Sequence, residues 1–368
     1  MTVLPSASLT EKNTYKPTPV KKKHNPLFTR LFHWEYWSFG VIYTPIYFYW
    51  FFLCLRARSL FFFSAANPSI ENGGFLMEHK SDIYNLIPKQ YYPKTLFIPT
   101  GFSVADIISR IDKEGFVFPV IVKPDIGGKG RGVKKIVTKE QAAQYIFQSN
   151  FPMLVQDFIN FEMEAGIFYY RYPWQQKGNI SGIVAKEFLT ITGNGIATVE
   201  ELLLQKPRYA LQLPALQKLK EINFQEVVEK DEKRILVPFG NHARGAKFID
   251  AADKINIRLT ESIDAICKQI PGFYYGRLDI KFTNWEDLNE GKNISIIELN
   301  GAGSEPTHMY DPSHSLFFAW REIIRHWKIL WRISTWNHKH KGYPYLTFTQ
   351  GIRMFKDNKK NDKKLGEI

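Results

Sequence analysis

Hydrophobic and polar positions follow two different periods along this chain. Period-two runs occur at FVFPVIVKP (116–124), MLVQDFI (153–159), EAGIFYYR (164–171), SGIVAKEFL (181–189) and ISIIELN (294–300), and each predicts a strand. Between residue 80 and residue 149 such runs alternate with helical patterns. Thr198 followed by Glu201 predicts a capped helix over 198–204, because the two side chains can satisfy each other's backbone N–H groups. Residues 316–336 predict one amphipathic helix, with Leu316, Trp320, Ile323, Ile324, Trp327 and Trp331 on one face and Arg321, Arg325, Lys328 and Arg332 on another. Such a helix either docks on a core or lies on anionic lipid. Strands and helices mixed in this way predict an α+β fold.

The run Trp37–Leu55 has 19 residues without a charge, enough to cross a bilayer by length. Its aromatic content, Gly40, Pro45 and the basic residues on both sides favour a buried or interface-lying segment over a span. Its late start and the lack of a small-residue cleavage site argue against a signal peptide. The expected organisation is a disordered basic lead-in (1–30), the aromatic segment (31–75), a first subdomain (76–149), a second carrying a metal site (150–315), an amphipathic helix and extension (316–350) and a basic tail (351–368). Turn chemistry in ANPSIENGG (66–74) marks the boundary at the end of the aromatic segment.

Composition narrows the picture. An apolar fraction of 44% with 23% charge excludes wholesale disorder. The formal net charge of +13 would suggest an anionic partner, but residues 1–30 carry net +5 and residues 351–368 net +3. Most of the excess is therefore in the tails, and no recognisable nucleic-acid-binding module accompanies it. Cys54 and Cys267 are the only cysteines, too few for a disulfide framework, which fits a reducing cytoplasm.

Two constellations carry chemistry. In PVIVKPDIGGKGRGVKKI (119–136) a β-run ends at Lys123, and Gly127, Gly128, Gly130 and Gly132 follow. Glycines let backbone N–H groups turn toward one anion, and Lys123, with Lys129 or Arg131, would supply charge for a phosphate clamp. An ordinary glycine-rich hairpin has the same pattern. In GRLDI (276–280) and IIELN (296–300), strand alternation puts Glu298 and Asn300 on one face, where Asp279 could join them. Two carboxylates and an amide oxygen suit Mg²⁺, and Arg277 would stabilise charge at a reacting centre. By spacing alone, Asp279 paired with Arg277 beside an Asn-Gly turn fits equally.

Taken in order, these residues resemble the ATP-grasp ligases, and the D-alanine–D-alanine ligase branch most closely. The resemblance covers about residues 80–312. It implies two α+β subdomains gripping ATP, with the aromatic N-terminal segment as an atypical addition. PVIVKPDIGGKGRG resembles the family's flap, with Lys123 as its phosphate lysine, and VAKEF places the second nucleotide lysine at Lys186. QDFINFEMEAG matches the adenine linker, implying Asp157 at its start, hinge backbone from Phe158 through Ile159 to Asn160, and Glu164 on the ribose. The metal motif falls at Asp279, Glu298 and Asn300, with Arg277 and Lys186 in catalytic roles.

ITGNGIATVEELL (191–203) and GNHARGAKF (240–248) also resemble elements of amino-acid ligases, which implies Asn241 and Arg244 near a substrate carboxylate. The departure lies just after Asn300. Where the D-alanine ligases carry a Gly-rich, Ser-containing loop, this chain has GAGSEPTHMYDP (301–312), so Ser304 and Glu305 would meet the second substrate and Glu305 would select an amine or a cationic acceptor. The implied cofactors are ATP and Mg²⁺, two ions with Mn²⁺ as a substitute. The implied partners are a small-molecule acid and amine, with no nucleic acid and with peripheral membrane contact through 37–55 or 316–336 as an added option. The oligomeric state is left open. The expected activity joins carboxylate to amine through an acyl phosphate in the cytoplasm, at the membrane's inner face if those segments bind it. A kinase on the same fold and a non-catalytic nucleotide-binding membrane module are the alternatives.

Overall fold

The structure is a computed structural model that describes residues 33–128, 130–217, 222–237 and 246–366. In chain order the elements are α1 (Phe39–Tyr43), α2 (Tyr47–Ala57), α3 (Lys80–Leu86), β1 (Thr95–Ile98), α4 (Val104–Glu114), β2 (Val120–Pro124), β3 (Lys134–Ile136), α5 (Lys139–Ser149), β4 (Met153–Asp157), β5 (Met163–Tyr170) and β6 (Asn179–Glu187). They continue with β7 (Leu189–Thr192), α6 (Val199–Leu204), β8 (Lys233–Val237), β9 (Lys247–Asp250), α7 (Ile257–Lys268), β10 (Tyr275–Phe282), α8 (Trp285–Glu290), β11 (Ile294–Asn300), α9 (Leu316–Lys341) and α10 (Phe348–Leu365). The chain forms two compact units, one containing Leu189–Leu236 and the other Arg30–Phe188 with Val237–Ile368.

In the smaller unit β7 pairs with β8. α6 starts at the predicted capping box: Thr198 accepts from the Glu201 N–H, and Glu201 accepts from the Thr198 N–H. Asn194 Oδ1 accepts from the Ile196 and Ala197 N–H groups, folding the GNG loop before the helix.

The larger unit holds a four-stranded antiparallel sheet in the order β1-β4-β2-β3. Val120, Val122, Met153 and Val155 bury one face against Ile107, Ile111 of α4 and Ala142, Ala143, Ile146 of α5. Period-two alternation therefore turns Ile121, Lys123 and Gln156 to the opposite face. A second antiparallel sheet has the order β11-β10-β5-β6-β9. Ala165, Ile167, Leu278, Ile280, Ile296 and Leu299 face a core shared with α7 and Leu288 of α8. The complementary positions, Glu164, Arg277, Asp279 and Glu298, face away from that core.

Pro45 interrupts the aromatic segment as its sequence predicts, leaving a 3-10 turn between α1 and α2. The run Phe39–Ala57, with a mean hydropathy of 1.2, is long and apolar enough to cross a membrane by length and composition. It packs against α9 through Ile42, Tyr43, Ile46, Leu53 and Cys54, while Phe48, Phe51, Phe52 and Leu55 stay exposed. The turn at 66–74 is pinned to β10. Asn67, fully buried, donates to the Gly73 and Tyr275 carbonyls and accepts from the Tyr274 and Tyr275 N–H groups.

α9 starts at the predicted residue and runs five residues past the predicted end, to Gly342 in the left-handed region. Its buried stripe includes Glu322, His326, Ser334 and Asn337 as well as Ile323, Leu330 and Ile333. Glu322 and His326 are tolerated because they are paired: Glu322 meets His308 and Arg325, and His326 meets Ser181.

Candidate active site

The antiparallel register of β10 and β11 sets Asp279 opposite Glu298 and Arg277 opposite Asn300. Directly opposed residues share a face, so the register puts these four positions on one face of the strand pair. Asp279 also faces Gly166 on β5, where an added Cβ would come within 3.0 Å of its carboxylate. Glycine there leaves the carboxylate room. Arg277 Nε donates to Asp279 Oδ1 at 2.8 Å, and Lys186 Nζ lies 3.1 Å from Oδ2. Burial pushes the Asp279 carboxyl up, but Arg277 and Lys186 outweigh it and hold the group down at about 2.

Lys186 also bonds Glu164 Oε1 at 2.8 Å, on the neighbouring strand of the same sheet. Burial alone would lower its ammonium pKa; Asp279 and Glu164 together hold it above the ordinary lysine value. Lys123 approaches from the other sheet. Its Nζ donates to Tyr84 Oη and Gln156 Oε1, both at 2.8 Å, and to the Ile297 carbonyl at 3.1 Å. All three protons have acceptors, so a phosphate at this lysine must displace one of them. Burial lowers the Lys123 pKa to about 8, with Glu298 opposing.

Between β2 and β3 the glycine loop has Gly127, Gly130 and Gly132 in left-handed conformations, at φ 147°, 69° and 68°. Gly127, Gly128 and Gly130 line a cavity of about 1210 Å³. That cavity is also lined by Lys123, Asp157, Phe158, Ile159, Glu164, Lys186, Arg277, Asp279, Glu298, Ser304 and Glu305. One space therefore reaches most of the residues picked out from sequence. Lys129 lies outside the described residues. So do Asn241 and Arg244.

Asn300 is placed differently: it is not among the residues that line the cavity, and its buried Nδ2 has no hydrogen-bond partner among the described residues. Ser304 donates its hydroxyl to the Asn300 and Gly301 carbonyls, at 2.8 and 2.6 Å, which closes the turn after β11. Glu305 accepts from the Tyr43 and Tyr310 hydroxyls on a single oxygen, Oε1, at 2.6 and 3.2 Å.

Among the described residues no three His, Cys, Asp or Glu side chains cluster as a metal site. The donor set at the cavity is the two carboxylates Asp279 and Glu298, both hard ligands; the Asn300 amide oxygen would have to turn toward them to join, and the unpartnered Nδ2 is not itself a metal donor. A hard divalent cation sharing its shell with water and phosphate fits that set.

Sequence reasoning missed Lys80, whose Nζ lies 3.7 Å from Glu298 Oε1 and donates to the Gly127 carbonyl at the base of the loop. Its signal was slight, a lysine at the start of a helical pattern. Asp125 fixes that helix start by accepting from the Ser81 N–H and from His79. Also missed was the tie from the loop to α10, in which Arg131 pairs with Asp362.

No family model matches the sequence. Over 204 residues the chain is 24% identical to the glutathione biosynthesis bifunctional protein GshAB of Clostridium perfringens, covering 49% of this chain and 25% of that protein. The chain thus spans about a quarter of the length of this curated relative. Among solved structures it is similar to a bifunctional glutathione synthetase from Pasteurella multocida (14% identity, 67% of this chain, 35% of that one, TM-score 0.36). It is also similar to the VanG D-Ala:D-Ser ligase of Enterococcus faecalis (15%, 69% and 61%, TM-score 0.39). A third is the D-alanine–D-alanine ligase of Bacillus anthracis (13%, 72% and 69%, TM-score 0.40). These relatives are ATP-grasp ligases.

Proposed function

We infer that this protein is an ATP-dependent ligase that joins a carboxylate to an amine through an acyl phosphate, with ATP and Mg²⁺ supplied by the cytoplasm. The observation that supports the reading is the single cavity in which Lys123, Lys186 and Glu164 meet Arg277, Asp279 and Glu298. In it the backbone of Asp157–Ile159 would hold adenine, and Lys123, Lys186 and Lys80 would neutralise phosphate oxygens. Asp279 and Glu298, with Asn300 if its side chain turns into the cavity, would hold Mg²⁺, which when bound spreads charge over the transferring phosphoryl group.

The substrate carboxylate would take the γ-phosphoryl group, giving ADP and an acyl phosphate. Arg277, held by Asp279, would stabilise the oxyanion formed when the amine adds to the carbonyl. The glycine loop would close over the site and keep water from the acyl phosphate. Ser304 and Glu305 stand at the acceptor end, where the Glu305 carboxylate would favour an ammonium and disfavour a carboxylate.

The test is Glu298→Gln assayed for Mg²⁺-dependent ADP release in mixtures of amino acids and dipeptides. Loss of release with an unchanged circular dichroism spectrum is expected, and unchanged release refutes the metal assignment. Hydroxamate formation with hydroxylamine separates a ligase from a kinase on the same fold, since only an acyl phosphate is trapped.

A further inference from the structure

The wall of the cavity changes character beyond Arg277. On the phosphate side it is charged. Past Glu305, whose backbone carbonyl accepts from Arg277 Nη1 at 3.3 Å, it becomes aromatic. Successive ring contacts lead from Tyr43 to Trp327 (5.8 Å), to Trp50 (5.1 Å), to Phe75 (6.4 Å) and to Phe355 (6.3 Å). No residue on this path is ionised at neutral pH. It begins at a carboxylate and ends at a ring that is 44% exposed.

Water gains nothing from such a wall, whereas a hydrocarbon chain removes its apolar surface from water at about 25 cal/mol per Å². The Glu305 carboxylate at the head of the path calls for a cation beside the reacting centre. We propose that the cavity binds a primary amine carried on a long apolar chain, its ammonium at Glu305 and its chain along the aromatic path toward α10. Naming this amine the acceptor rests on the ligase reading above; the binding itself does not. In turnover Glu305 accepts the ammonium's first proton and the freed nitrogen bonds to the acyl carbon. The carbon–oxygen bond to phosphate then breaks, and the second proton leaves with inorganic phosphate.

The test is calorimetric titration of the full chain, without ATP, with n-butylamine, n-octylamine and n-dodecylamine below their micelle concentrations. Kd is expected to fall roughly fourfold per added methylene, from about 0.8 kcal/mol each. Phe355→Asp should flatten that slope while the circular dichroism spectrum of the variant stays that of the wild type. Glu305→Gln should weaken the whole series and leave the slope intact. A Kd that does not change with chain length overturns the proposal, and so does dodecanoate binding as tightly as dodecylamine.

Co-sedimentation with phosphatidylcholine vesicles carrying dodecylamine, but not with plain ones, assigns a bilayer-borne amine. Binding in solution without co-sedimentation assigns a dispersed one. The two readings fail separately. A steep series with no ADP release from any acid and amine refutes the ligase, whereas ADP release with short polar amines and a flat series refutes the aromatic chamber.

Discussion

Lys123 provides the most direct pH test of the proposed nucleotide site. Its ammonium is buried, surrounded by two neutral oxygens and a carbonyl, and has a pKa lowered to about 8 from an ordinary 10.5. If its charge neutralises a phosphate, kcat/KM for ATP should fall as pH rises through about 8, by roughly tenfold per unit once the lysine is mostly neutral. Lys123→Met removes the charge at every pH. A charge-assisted hydrogen bond contributes about 1.5–3 kcal/mol, so at pH 7 the loss in kcat/KM should be roughly ten- to hundredfold. Lys123→Arg keeps its charge, because guanidinium does not titrate in this range, and should hold its reduced kcat/KM nearly flat to pH 9.5. The assay is coupled ADP release at several pH values, with the coupling enzymes in excess. A wild-type profile flat from pH 7 to 9.5, or the same alkaline fall in Lys123→Arg, refutes the assignment of Lys123 to phosphate.

Three further outcomes follow from the geometry. Asp279 and Glu322 both have folded pKa values near 2, below their ordinary values of 3.8 and 4.5, so each stabilises the fold fully above about pH 4.5; urea midpoints should fall as pH drops from there toward 2. Gly74 has φ 74° and an added Cβ would lie 2.7 Å from the Gly301 Cα, so Gly74→Ala should lower stability by about 2 kcal/mol or more, read as a shifted urea midpoint. The Arg131–Asp362 pair is part-exposed, so its loss costs only about 0.2–1 kcal/mol; Asp362→Asn should speed tryptic cleavage after Arg131 by roughly 1.5- to 5-fold, and no change refutes a tie between loop and α10.

The α+β fold and most of its elements were legible because alternation is a local property. ISIIELN, MLVQDFI and the 316–336 pattern each predicted an element within a few residues of the one formed. Partners were less legible than elements. That Lys186 would be held between Glu164 and Asp279 depends on the order β11-β10-β5-β6, and no single segment encodes that order. Lys80 was overlooked for the same reason, since its neighbours Gly127 and Glu298 lie 47 and more than 200 residues away in sequence.

The aromatic segment was the least legible part, and the cause is physical. Rings spaced at helical intervals read alike whether they meet a core, a lipid or a ligand, because the hydrophobic effect has no direction. What separates the cases is which faces remain uncovered once the other elements are in place. Here Ile42, Leu53 and Cys54 are covered and Phe48, Phe51, Phe52 and Leu55 are not, so the helix satisfies one core and still presents an apolar face. Tyr43 belongs to both descriptions. It packs on Trp327 as a core ring does, and its hydroxyl reaches Glu305, whose backbone carbonyl accepts from Arg277. Burial and Glu305 raise the Tyr43 phenol well above its ordinary pKa, so the hydroxyl stays a donor to that carboxylate through the physiological range. The aromatic segment is therefore joined to Glu305, and if Glu305 meets the amine as proposed, changes in the segment should register first in the choice of amine and only later in the use of ATP.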